Sequence, residues 1–230
     1  MDDVPAFAHN QRLAAGLGVH LAIVTDLDDP AARSRVKVKL PAVADSPQQE
    51  GELWARVCTL FAGENRGAFW MPDVGDEVLV AFVMGDARQP IVLGGLWNGA
   101  SHAPETLNRD NNLKVVRSRN GNRIVLDDSS GQEKVIVETP GGNRITLSDA
   151  AGDLVKVEDS AGNTATMGAG GMTVTSPAIV KVQAAQVKVE AGMVTVDAAL
   201  SRFSGVVHCD TLITNSVVSA SYTPGAGNIW

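Results

Sequence analysis

The run VKVQAAQ VKVEAGM VTVDAAL SRFSGVV, residues 180–207 divided into sevens, decides how this chain must fold. Each heptad opens with an apolar, polar, apolar stroke: Val180 and Val182, Val187 and Val189, Val194 and Val196, then Ser201 and Phe203. A coiled coil would set its apolar residues at first and fourth positions. Here they fall at first and third, on β-branched valines with glycine and alanine nearby, so the period inside each repeat is two and the stroke is β. A three-residue strand has one apolar face and two hydrogen-bonding edges, and one chain that supplies a single side per layer cannot cover them. Three copies wound about a common axis close the edges. They also gather Val180, Val182, Val187, Val189, Val194, Val196 and Phe203 in one core. The expectation for residues 177–221 is therefore an intertwined, homotrimeric, triple-stranded β-helix, a stiff needle.

Upstream, residues 114–176 repeat on a longer period. Gly121-Asn122-Arg123-Ile124 recurs as Gly142-Asn143-Arg144-Ile145 and, degraded, as Gly162-Asn163-Thr164-Ala165. Each unit continues with an apolar alternation (Ile124 and Leu126; Ile145 and Leu147; Ala165 and Met167) and a glycine turn. The first two add a second alternation, Val135 with Val137 and Val155 with Val157. Every unit reads as two short strands joined by a turn. Hairpin layers and an early start of the β-helix both satisfy that pattern.

Residues 17–100 have another texture. Five apolar runs, LAIVTDLDDP, SRVKVKLP, ELWARVCTL, GDEVLVAFVMGD and PIVLGGLW, are separated by Pro, Gly and Asp. Five short strands with tight turns define a small Greek-key barrel of the OB type. Arg35, Lys37 and Lys39 alternate with Val36, Val38 and Leu40, which sets the charges toward water and the valines inside. In the PDVGDEV segment, Pro72 and Gly75 make a turn, and Val78, Val80 and Phe82 lead into a strand; Asp73, Asp76 and Glu77 are turn and rim carboxylates rather than an acid/base set. Trp54, Phe69, Trp70 and Trp97 are read as core and trimer-contact residues. Residues 1–16 form an N-terminal arm, 101–113 a linker and 222–230 a tip. The chain as a whole is all-β.

Charge narrows the function. With 19 Lys and Arg against 26 Asp and Glu the net charge is −7, and the barrel module alone holds seven basic and eleven acidic residues, a balance of −4. Nucleic-acid binding requires a basic surface, so this balance argues against it. No apolar leader or membrane-length apolar run occurs, so synthesis in the cytoplasm is expected. Cys58 and Cys209 are read as buried thiols. His9, His20, His102 and His208 stand isolated, so no metal, cofactor or catalytic group is assigned.

The stretch Trp54–Gly99 resembles the OB module of the VgrG and phage baseplate assembly protein V family, the central spikes of contractile injection machines. The resemblance is carried by Arg56-Val57, Ala62-Gly63 through Arg66-Gly67, the segment from Pro72 to Val80, Gly85-Asp86, Pro90-Ile91-Val92-Leu93-Gly94 and Asn98-Gly99. The following residues, Val116-Arg117-Ser118 into Gly121–Asp128 and Gly131–Lys134, resemble the same family's entry to its spike. The resemblance implies a structural spike that pierces a target envelope and touches the target membrane only transiently, assembled in a virion or a secreted tail-like particle. VgrG proteins carry a large hub ahead of the OB module, so the hub is expected on a separate baseplate chain at the OB end. A PAAR-type tip protein is implied at the other end, docked on Tyr222, Ile229 and Trp230; folding of Ile229 and Trp230 back onto the needle wall is the alternative. The spacing between Asn98 and Lys114 leaves no room for an inserted hydrolase, and none of the histidines has the His-x-His spacing of metal-tipped phage spikes. Two other classes compete with the spike: a β-helical carbohydrate-active enzyme, which needs a cleft of clustered acids or aromatics, and an OB-fold binding module, which needs a basic face.

Overall fold

The computed structural model describes residues 18–40 and 51–221, so the N-terminal arm with His9, and the tip residues Tyr222, Ile229 and Trp230, lie outside the described residues. Strands β1 (Val19–Asp26), β2 (Val36–Lys39), β3 (Glu52–Val57), β6 (Glu77–Phe82) and β7 (Pro90–Gly95) close a barrel in the order β1-β2-β3-β7-β6, while β4 (Ala62–Gly63) and β5 (Arg66–Gly67) form a small separate hairpin. All barrel pairs are antiparallel except β3 with β7. Closure leaves no free sheet edge, as the five apolar runs require. A single 3-10 turn, Val83–Gly85, ends β6, and no α-helix occurs among the described residues.

The alternation dictates the core. Ala22, Val24, Val36, Val38, Leu40, Ala55, Val78, Val80 and Val92 are all buried and pack as one cluster. Phe69 and Trp70 follow β5 and Trp97 follows β7, so all three lie off the barrel strands. The expectation that the aromatics join the core is therefore corrected within the chain: Phe69, Trp70 and Trp97 are exposed. Trp54 lies half-buried on the outside of β3, covered by the Arg35 guanidinium at 5.8 Å and the Lys37 ammonium at 5.2 Å from its ring centre. The basic residues of β2 thus lie over an aromatic ring, a cation–π arrangement.

The β1–β2 connection is organised by one carboxylate. Asp29 accepts backbone N–H bonds from Ala31, Arg33 and Arg35 and a two-pronged guanidinium contact from Arg35 at 2.6 and 3.0 Å, and its side chain is only 4% exposed. The Arg35 guanidinium, helped by those N–H donors and opposed by desolvation, holds the Asp29 carboxyl well below its ordinary value of 3.8. A folded-state pKa below the unfolded one means that the stabilisation is complete at neutral pH and is lost as pH falls through the unfolded-state value toward the folded one. Asp29→Asn is expected to lower the barrel's melting temperature at pH 7 and to flatten its acid limb below about pH 4. Calorimetric scans of both proteins from pH 7 to 2 check this; superimposable profiles would refute the role of Asp29.

The thiols also depart from expectation. Cys58 and Cys209 are exposed in the chain. Cys58 lies one residue beyond β3, where its N–H still bonds the Val92 carbonyl at 2.8 Å but the barrel wall no longer covers the side chain.

Beyond the barrel, β8 (Leu113–Arg117), β9 (Arg123–Asp127), β10 (Lys134–Glu138), β11 (Arg144–Ser148), β12 (Asp153–Glu158), β13 (Thr164–Gly168) and β14 (Gly171–Thr175) form a seven-stranded antiparallel meander in sequence order. Of the two arrangements left open by the repeats, hairpin layers are the one adopted within the chain. The recurring Gly-Asn pair is the turn itself. Gly121, Gly142 and Gly162 have φ of +90°, +89° and +88°. Each donates its N–H to the carbonyl three residues earlier, of Ser118, Thr139 and Asp159. Those residues in turn donate to the Asn122, Asn143 and Asn163 carbonyls. This is a three-residue hairpin loop with glycine at the left-handed position, which explains why the repeat preserves Gly.

Past Val180 the chain passes into a second unit. Residues 181–221 carry no intrachain strand ladder and are exposed throughout. Single bends interrupt them at Ala185, Gly192 and Ala199, seven residues apart, at the sixth place of each heptad.

Candidate oligomer interface

Register places the alternating residues of the meander on two faces. On one face two apolar rows cross the strands: Val116, Ile124, Val137, Ile145, Val157, Ala165 and Val174 in one, and Leu126, Val135, Leu147, Val155, Met167 and Met172 in the other. The opposite face carries Arg123, Glu138, Arg144 and Glu158 side by side in one row, joined by ion pairs of 3.2 Å (Arg123–Glu138), 2.7 Å (Arg144–Glu138) and 3.8 Å (Arg144–Glu158). A second row on that face starts apolar with Val115, Val125 and Ile136, of which Val125 is buried, and turns polar at Thr146, Lys156, Thr166 and Thr173. Period-two alternation makes one face apolar across the meander, while the other is polar only where the alternation is strict, as in β11, β13 and β14; Val125 and Ile136 break it in β9 and β10.

The apolar face is uncovered within the chain. Ile124, Val137, Ile145, Leu147, Val157 and Val174 are all exposed. Part of the face forms an open depression of about 610 Å³, lined by Val137, Ile145, Val157, Ala165 and Val174 and bordered by Ile179 and Val180, where the meander leads into the heptads. A contiguous apolar surface crossing seven strands is far larger than a monomeric protein ordinarily leaves to water. Its chemistry is that of a core without its other half.

The residues picked from the heptads, Val180 at the end of the first unit and the others on the second, are in the same condition. Val180, Val182, Val187, Val189, Val194, Val196 and Phe203 are exposed and have no neighbour within the chain to bury them. The meander rows were legible as alternations in the sequence. Their alignment into two continuous stripes became visible only with the register.

No other chemistry assembles here. Among the described residues no group of three or more His, Cys, Asp or Glu is close enough to hold a metal ion. His20 meets the Phe82 ring edge-on at 5.4 Å. Asp73 pairs with Arg119 at 2.8 Å, Asp76 accepts the Asp73 N–H at 2.8 Å, and Glu77 accepts from Asn98, so the three carboxylates of the PDVGDEV segment are each used locally. No helix among the described residues is long and apolar enough to cross a membrane.

A barrel that closes as an OB fold, followed by an amphipathic β-layer lacking its partner, defines an injector-type spike module. Residues 20–97 match the type VI secretion system/phage-baseplate injector OB domain, and residues 134–201 match the phage baseplate V C-terminal trimerisation domain. Together the matches span more than half of the chain, which belongs to the phage baseplate V family. Similar curated proteins include the type VI secretion system spike protein VgrG1a of Pseudomonas aeruginosa, 31% identical over 98 residues that make up 39% of this chain and 15% of that protein. The spike protein VgrG3 of Vibrio cholerae is 32% identical over 106 residues, 44% of this chain and 10% of that protein. The actin cross-linking toxin VgrG1 of the same species is 30% identical over 106 residues, again 44% of this chain and 10% of that protein. The chain thus spans only a small fraction of the length of these relatives, the part that they share as spikes.

Proposed function

We propose that three copies of this chain form the central spike of a contractile injection machine, with the barrels as a base and the heptads as a needle that is driven through a target envelope. The observation that carries this reading is the pair of uncovered apolar rows on the meander, whose strands from β10 onward fall in the stretch that matches a trimerisation domain. Three copies related by a threefold axis turn those rows inward and keep the Arg–Glu rows in water, and Val180, Val182, Val187, Val189, Val194, Val196 and Phe203 form the core of the needle. Strand edges that one chain leaves open pair with the next chain, so axial load is spread over a continuous hydrogen-bonded wall with no cheap hinge. The function is mechanical and requires no catalytic group.

The partners follow from the same reading. A separate hub or baseplate protein holds the barrel end. A PAAR-type tip protein caps the other end on Tyr222, Ile229 and Trp230. The particle is a phage tail or a secreted, tail-like injection apparatus assembled from cytoplasmically made chains. Light scattering is expected to give a mass near 72 kDa (3 × 24.0 kDa), retained in SDS without boiling. A cooperative 24.0 kDa monomer overturns the spike.

A further inference from the structure

The trimerisation-domain match ends at residue 201, and the seven-residue spacing of the bends ends at Ala199. The bends themselves continue. They fall at Ser204-Gly205, then at Asp210, Asn215 and Ala220, now five residues apart. We propose that residues 206–220 form a second, tighter winding of the same three-chain needle, built on a five-residue unit whose second and fourth side chains face the axis. The proposal rests on the homotrimer proposed above and extends its core beyond the heptads.

The sequence divides accordingly into VVHCD, TLITN and SVVSA. Second places hold Val207, Leu212 and Val217, fourth places Cys209, Thr214 and Ser219, and each fifth residue is the bend. The exposure pattern points to the side that turns inward. In the single chain the second-place residues are 61%, 71% and 59% exposed, the same as the heptad valines Val180 at 61% and Val182 at 71%, whereas Val206, Ile213 and Val218 on the alternate side are 97%, 93% and 99% exposed. A winding chain shields its concave side and leaves its convex side open, so the less exposed set is the inner one. The fourth-place hydroxyls then close the corner: Thr214 Oγ1 donates to the Ser216 carbonyl at 3.1 Å and Ser219 Oγ to the Ser221 carbonyl at 2.6 Å, each across one bend. A side-chain hydroxyl that satisfies the corner carbonyl replaces a backbone partner. That allows the stroke of three residues to keep its length while the corner shrinks from four residues to two. A shorter unit per chain per layer means a smaller perimeter, so the needle narrows toward its C-terminal end.

Cysteine cross-linking tests this in the full chain. In a Cys58→Ser, Cys209→Ser background, Leu212→Cys and Ile213→Cys are compared, with copper(II)-phenanthroline as oxidant, accepting the two electrons while the two protons released by a thiol pair pass to solvent. Only side chains converging on the axis can bring Cβ atoms within the roughly 4 Å that a disulfide needs. Leu212→Cys is expected to give an interchain dimer band on non-reducing gels at least about tenfold faster than Ile213→Cys. A trimeric mass with both, neither, or only Ile213→Cys cross-linked overturns the five-residue winding and leaves the trimer standing. A monomeric mass for the parent protein overturns the homotrimer and the winding with it.

Discussion

Ile145→Asp is expected to convert the trimer to monomers while each barrel stays folded. Ile145 lies at the centre of one apolar row, between Val137 and Val157, and is 46% exposed in the single chain. For a protein that ends at its own surface, such a change is worth no more than about 0.5 kcal/mol. In the trimer three Ile145 side chains leave water together. Three carboxylates forced into that layer have no cation beside them, since Arg144 and Lys156 point to the opposite face. Each uncompensated buried charge costs several kcal/mol, and mutual repulsion adds to it, for a total on the order of 10 kcal/mol per trimer. Thr146→Asp, one residue on and facing the polar side beside Lys156, serves as the control and is expected to leave the mass unchanged. Sedimentation of both variants decides the matter. A trimeric Ile145→Asp protein with unaltered melting would mean that the apolar rows are not the interface.

The contrast between these neighbouring positions marks what a sequence can and cannot disclose. Period-two patterning set the inner and outer sides of β2, of β6 and of the later meander strands β11, β13 and β14, because a slip of one residue turns every side chain to the other face; in β9 and β10 the runs Ile124-Val125-Leu126 and Val135-Ile136-Val137 leave both choices open. The Gly-Asn repeat spelled out the hairpin loops, since few residues other than glycine tolerate φ near +90°. Of the reading of Phe69, Trp70 and Trp97 as core and trimer-contact residues, the core part fails within the chain because all three lie off the barrel strands, where apolar character alone does not bring a side chain inside. Cys58 failed similarly, by lying one residue past the end of a strand. The short β4–β5 hairpin had no periodic signal to read, as two-residue strands contain no alternation. The candidate interface was half visible. Its valines and isoleucines were picked out by spacing, but their alignment into rows depends on cross-strand register, which spans residues far apart in the chain.

Val187→Asp with Val189→Asp is expected to separate the needle from the layer beneath it. Both residues belong to one heptad stroke, and both are exposed in the chain, at 63% and 68%. Full burial of a valine is worth about 1.5–3 kcal/mol relative to exposure, so two in each of three chains withdraw roughly 9–18 kcal/mol even before the cost of desolvating six carboxylates is counted. The meander rows are untouched, and on their strength the protein is expected to remain a trimer by light scattering. What changes is the wall above Val180. In the parent protein the strokes pair between chains, and a protease finds no loose segment there; in the variant the chain beyond Val180 lacks both its core and any ladder of its own. Limited proteolysis is expected to trim the variant rapidly to a trimeric core ending near residue 180, while the parent resists under the same conditions. Identical digestion patterns would mean that the heptads hold together without their valines, and the triple-stranded needle would have to be abandoned even with the trimer intact. The two substitution experiments therefore probe different halves of one interface, the first through assembly and the second through local order.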